Sequence, residues 1–110
     1  MNLKHFYNQT TYTLTILVVV GGTVASPTVG QQPEITHRFK LLPQHDYKLE
    51  YGTLECCFIR SIMISYEDSG VRYQALQEVL SEQSSLSRLF NEGSYLAVTQ
   101  VSPPVFESDA

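Results

Sequence analysis

Tryptophan is absent, cysteine occurs twice, and lysine and arginine together number only 7 in a chain of 110 residues. Each shortage excludes something. Two cysteines cannot build a disulfide-dense scaffold. Seven basic against 11 acidic groups give a net charge of −4 and no electrostatic footprint for nucleic acid phosphates, so no nucleic acid partner is expected. The chain has no P-loop, no G-x-G-x-x-G and no G-x-S-x-G, since Gly93-Ser94 lacks the second glycine. It has no internal repeat. Against these absences stands an apolar content of 43% with only 16% charged residues, too apolar for a disordered acidic tail. The length allows one small domain.

The sharpest local shortage is of charge. Between Lys4 and Glu34 there is no acidic or basic side chain apart from His5, while all 11 acidic groups lie from Glu34 onward. Within this stretch a polar start is followed by the apolar run Leu14-Thr15-Ile16-Leu17-Val18-Val19-Val20, then Gly21-Gly22 and the small residues Thr23-Val24-Ala25-Ser26. That order matches a secretory signal peptide over residues 1–25, cleaved near Ala25, and implies export to the periplasm or the exterior. Pro27, two residues beyond, fits the cleavage pattern imperfectly. Two other readings compete. The run is short for a membrane span, although an uncleaved leader would anchor the chain. Alternatively, residues 10–30 form a structural hairpin of a cytosolic protein, with Gly21-Gly22 as its two-residue turn.

Residues 26–34, with two prolines, Gly30 and paired glutamines, read as a flexible linker. The domain proper is expected over residues 35–102, with a polar tail over 103–110 after the break at Pro103-Pro104. His37 to Leu42 suits a short strand. Tyr47, Leu49 and Tyr51 alternate with Lys48 and Glu50, as in a half-buried strand. Leu54 to Tyr66, whose apolar face only Arg60 interrupts, reads as a strand well beyond the usual ~5–6 residues, so a bulge is expected somewhere within it. After the turn at Asp68-Ser69-Gly70, the stripe Ala75, Leu76, Val79 and Leu80 predicts an amphipathic helix, with a second helical turn through Leu86, Leu89 and Phe90 that stops at Gly93. Tyr95 to Val101 returns as a strand. The expected fold class is therefore α+β: a small, mainly antiparallel sheet of three to four strands with one amphipathic helix or helix pair, preceded by an apolar leader.

Candidate chemistry is sparse. Adjacent strand residues point to opposite faces, so Cys56 and Cys57 cannot share one environment; in an oxidising compartment they are candidates for redox chemistry or an intermolecular disulfide. The same arrangement, with His37 and His45 eight residues apart, does not suit a metal ion, and no metal or other cofactor is expected. A pairing of Cys57 with His37 or His45 lacks any sign of a low-pKa thiol, so no catalytic residue is assigned. The sequon Asn8-Gln9-Thr10 falls inside the expected leader. Seven tyrosines are the more informative feature, and Tyr47, Tyr51 and Tyr66 on sheet faces are candidates for a recognition surface. The same tyrosines could instead supply core area to a domain without tryptophan.

Tyr51-Gly52-Thr53-Leu54-Glu55, followed by Ser69-Gly70 and then Leu80-Ser81-Glu82-Gln83, is similar to the segment between signal peptide and catalytic domain in certain bacterial exported α/β-hydrolases of unknown function. The resemblance spans residues 47–90 and rests on short motifs. It departs from that family where Cys56 to Ile64 reads as a strand rather than a helix, and no nucleophile can be carried over. It implies an accessory or pro-segment of a secreted hydrolase. The reading from the residues themselves is a small exported, non-catalytic domain that works by binding a protein partner or by self-association, with no membrane-spanning segment.

Overall fold

Period-two alternation dominates this chain. The computed structural model describes residues 2–21, 34–52, 58–81 and 83–109. They form β1 (Asn2–Asn8), β2 (Leu14–Gly21), β3 (Ile35–Leu41), β4 (Asp46–Tyr51), β5 (Phe58–Asp68), β6 (Val71–Glu78), α1 (Ser85–Asn91), β7 (Tyr95–Val101) and β8 (Pro104–Ser108). The strands make two four-stranded sheets, ordered β4-β1-β7-β8 and β3-β2-β5-β6. Every pairing is antiparallel except β1 with β7.

The inner faces of both sheets meet in one core. Lys4, Phe6 and Asn8 on β1 alternate inward, as do Leu14, Ile16, Val18 and Val20 on β2. Phe39 on β3 joins the sheets: its ring meets Phe6 edge-on at 5.2 Å and stacks on Tyr47 at 4.2 Å. Aromatic pairs in these geometries add to the area they bury.

The residues expected to form a leader therefore carry one of the two interior strands of each sheet, β1 and β2. The apolar side chains read as a signal-peptide run are opposed by β3 on one side and β5 on the other. The expected cleavage site near Ala25, the linker up to Pro33 and both cysteines lie outside the described residues. Among the described residues no helix is long and apolar enough to cross a membrane.

The expected helix over residues 71–80 is corrected to a strand. Ser69 and Gly70 both take positive φ, 54° and 79°. Two such residues make the hairpin turn whose twist matches paired strands, and β6 runs back along β5 with Tyr73 opposite Tyr66 and Val71 opposite Asp68. Leu76 and Leu80, placed on a buried stripe by the helical reading, are exposed; only Val79 of that stripe is buried with the core. One short helix, α1, remains of the helix pair. Ser84 caps it, its Oγ accepting from the Ser87 N–H at 3.1 Å. Among the described residues the fold is thus mostly β, with eight strands in two sheets rather than three or four in one. Residues 103–110, read as a tail, return as the edge strand β8 over Pro104–Ser108.

The expected bulge is present. The β2–β5 register shifts between Val19 and Val20, which pair with Ser61 and Ile59 and leave Arg60 as the extra residue. The inserted residue flips the parity, so Ile59, Ile62, Ile64 and Tyr66 all face the core. Gly21 gives Arg60 passage: a Cβ there would lie 2.7 Å from Arg60 Cδ.

Candidate functional site

The β1–β2 connection is held by buried polar side chains. Asn8 Nδ2 donates to the carbonyls of Tyr12 (2.6 Å) and Leu41 (2.9 Å), while Asn8 Oδ1 accepts from the backbone N–H (2.9 Å) and hydroxyl (2.6 Å) of Thr10. All the hydrogen-bonding capacity of the Asn8 amide is thereby used inside the fold. Gln44 Nε2 donates to the Thr10 carbonyl at 3.2 Å and ties the β3–β4 turn to the same loop. This is where the sequon lies, and both Asn8 and Thr10 are buried, so the asparagine is not presented as a glycosylation acceptor.

The loop so fixed delivers Tyr12 to the β5–β6 hairpin. Its hydroxyl donates to Asp68 Oδ2 at 3.2 Å, and its ring lies 4.8 Å from that of Tyr66. Tyr66 in turn stacks on its cross-strand partner Tyr73 at 5.2 Å, with an interplanar angle of 17°. The three rings form a graded ridge, from Tyr66 at 9% exposure to Tyr73 at 44%. The Asp68 carboxylate raises the Tyr12 phenol above its ordinary pKa, first by its charge and then by accepting the hydrogen bond. The phenol is therefore held as a donor.

A cleft of about 570 Å³ opens beside the ridge, with Thr99, Gln100 and Ser102 on its far wall. A second, of about 520 Å³, lies on the other side of Tyr12 and is lined by Arg38, Lys40, Ser65, Glu67 and Arg72 among others.

Of the tyrosines singled out in the sequence, Tyr66 reaches this site. Tyr51 is a core residue, and Tyr47 is exposed but stacked on Phe39. Neither lines the two clefts at the ridge. Tyr12 and Tyr73 were missed, the first because it lay in the expected leader and the second because it lay on the expected helix. The available signal was the Ser69-Gly70 loop, because a two-residue turn centred there sets position 66 opposite 73.

His45 Nδ1 bonds the Pro43 carbonyl at 2.8 Å. Among the described residues no group of three His, Cys, Asp or Glu side chains is placed to hold a metal ion. Lys4 is buried and donates from Nζ to the Phe90 carbonyl; burial lowers its pKa from 10.5 to about 8, against the raising effect of Asp109. Its amine is committed to the fold rather than offered to a substrate. No protein-family model, curated protein or solved structure matches the chain.

Proposed function

We propose that the chain is a small non-catalytic recognition domain that binds a protein partner through the Tyr12–Tyr66–Tyr73 ridge. The observation that carries this reading is the stack itself, in which an exposed Tyr73 rests on a buried Tyr66 that is buttressed by a hydrogen-bonded Tyr12. Rigid aromatic side chains anchor interfaces because they offer large contact area with few rotors to freeze, and their hydroxyls tolerate a wet rim. β6 supports the reading too, as an edge strand whose outer side has no strand beside it among the described residues. Residues 2–21 belong to the working protein in this proposal, since they supply the loop that places Tyr12.

The test is site-specific photo-crosslinking in the native host, with the probe at position 73 and, as a control, at the exposed position 107. A discrete adduct from position 73 that disappears in the Tyr12→Ala variant supports the reading. Equal, diffuse labelling from both positions overturns it.

A further inference from the structure

We propose that the outer face of the β3-β2-β5-β6 sheet carries a binding site for a small phosphate or sulfate ester, seated in the cleft over Thr15 and Ser65. Tyr12 and Tyr66 of the ridge also line this cleft, but the argument for the anion does not rest on the protein-binding reading.

The register defines the site. Lys40, Thr15, Ser65 and Gln74 stand in one row across the four strands. Arg38 lies two residues from Lys40 on β3, and Arg72 two residues from Gln74 on β6, so both share the outer face. Strands β3 and β6 are three spacings apart, roughly 14 Å at ~4.8 Å per spacing. Arg38 stands level with Leu17 and Arg72 level with Glu67, about 13 Å apart along the strands, so the cationic side chains approach an anion above Thr15 and Ser65 diagonally, from opposite corners of the cleft they line. The floor is hydroxyl-bearing, and the next row, Leu17 and Met63, is apolar.

Two observations point to an anion. Ser65 is only 3% exposed, lines the cleft, and its Oγ has no hydrogen-bond partner among the described residues. A buried hydroxyl without a partner is costly, and a ligand oxygen would satisfy it. The charge distribution is the second. Three of the 7 basic residues of an acidic chain line this one cleft. Arg60 and Arg88 pair with Glu34 and Glu92, whereas Arg38, Lys40 and Arg72 make no ion pair among the described residues. Two guanidinium forks with an ammonium suit a tetrahedral oxyanion, which presents three or more acceptor oxygens. A net charge of −4 opposes a long polyanion, which favours a small ester over a nucleic acid strand. Glu67, opposite Arg72, is the one carboxylate lining the cleft among the described residues and works against the anion.

The test is an amide-resolved NMR titration of the full chain with inorganic phosphate and inorganic sulfate at constant ionic strength, with chloride as control. The expected result is saturable shifts centred on Thr15, Lys40, Ser65 and Arg72. Arg38→Gln and Arg72→Gln, both at exposed positions, should each weaken binding about tenfold, and Ser65→Ala about threefold. Glu67→Gln should tighten it. O-phosphoserine and glucose 6-sulfate, run in parallel, distinguish a phosphate source from a sulfate source; tighter binding of either supports the assignment, and binding of neither overturns it. Unsaturable shifts spread over the surface, meaning an adventitious ion only, overturn it. Saturable binding unchanged in both arginine variants does so too.

Discussion

Lys4 Nζ donates to the carbonyl oxygen of Phe90, joining the interior strand β1 to the last turn of α1. An ammonium at a helix C-terminus meets the negative end of the backbone dipole and a carbonyl that has no partner within the helix. Burial nevertheless opposes the charge, and it is the larger effect, since the pKa falls from 10.5 to about 8.

That shift predicts an alkaline stability gain. The unfolded chain holds the Lys4 proton more tightly than the folded one. Below pH 8 the folded state carries the full cost of the buried charge, and between about 8 and 10.5 the cost falls as pH rises. Wild type should therefore gain stability relative to Lys4→Met across that window, by at most about 3 kcal/mol. Urea midpoints for both proteins report it. A constant difference between them over this range would show that burial does not perturb the amine.

Asp109 should act in the opposite direction at acid pH. Its Oδ2 accepts from the Ser94 hydroxyl at 2.6 Å and its Oδ1 from the Ser94 N–H at 2.7 Å, and these bonds lower its pKa from 3.8 to about 2. The contribution is complete above the unfolded value and is lost as pH falls from 3.8 through 2. Wild type should thus lose stability relative to Asp109→Asn within that interval. Carboxyl NMR of Asp109 gives the direct check, with a midpoint near the ordinary aspartate value counting against the bonds.

The β5–β6 turn makes a prediction about backbone alone. Nothing lies within 4 Å of a Cβ built on Gly70, yet its φ is +79°. Gly70→Ala should cost about 1 kcal/mol through strain rather than a clash. Ser69, at φ 54°, invites asparagine, so Ser69→Asn should stabilise by a few tenths of a kcal/mol (roughly 0.3). A helix over 71–80 would make Ser69 or Asp68 an N-cap and predict near-indifference to serine or asparagine there. Thermal unfolding of the two variants separates these cases.

How far the sequence discloses the fold depends on where each signal is stored. The period of two at Leu49 and Tyr51 is local, and both residues face the core as expected. Leu86, Leu89 and Phe90 with Gly93 likewise mark α1 correctly. β6 is different. Gln74, Ala75, Leu76, Gln77 and Glu78 are helix formers, and only pairing with β5 makes them a strand. β2 fails for another reason: Leu17 and Val19 on its outer side are as apolar as Ile16 and Val18 on its inner side, so no alternation separates a strand from a leader. The ridge is half legible. Tyr66 follows from strand periodicity, whereas Tyr12 depends on the Asn8 network, which crosses from β1 to Leu41 on β3.

The N-terminal strands permit the most decisive experiment. β1 lies between β4 and β7, and β2 between β3 and β5. Removing residues 1–25 would take out one interior strand from each sheet, strip Phe6, Leu14, Ile16, Val18 and Val20 from the core, and leave β3 and β4 with no described neighbour. The 26–110 chain should accordingly show no cooperative unfolding transition. A point substitution grades the same claim: Ile16→Ala should cost about 2–5 kcal/mol, as for a fully buried side chain that leaves a cavity. An apolar leader merely preceding a domain would leave the truncated chain folded and the Ile16→Ala variant as stable as wild type. Urea unfolding of the three proteins distinguishes a segment that builds the sandwich from one that only leads into it.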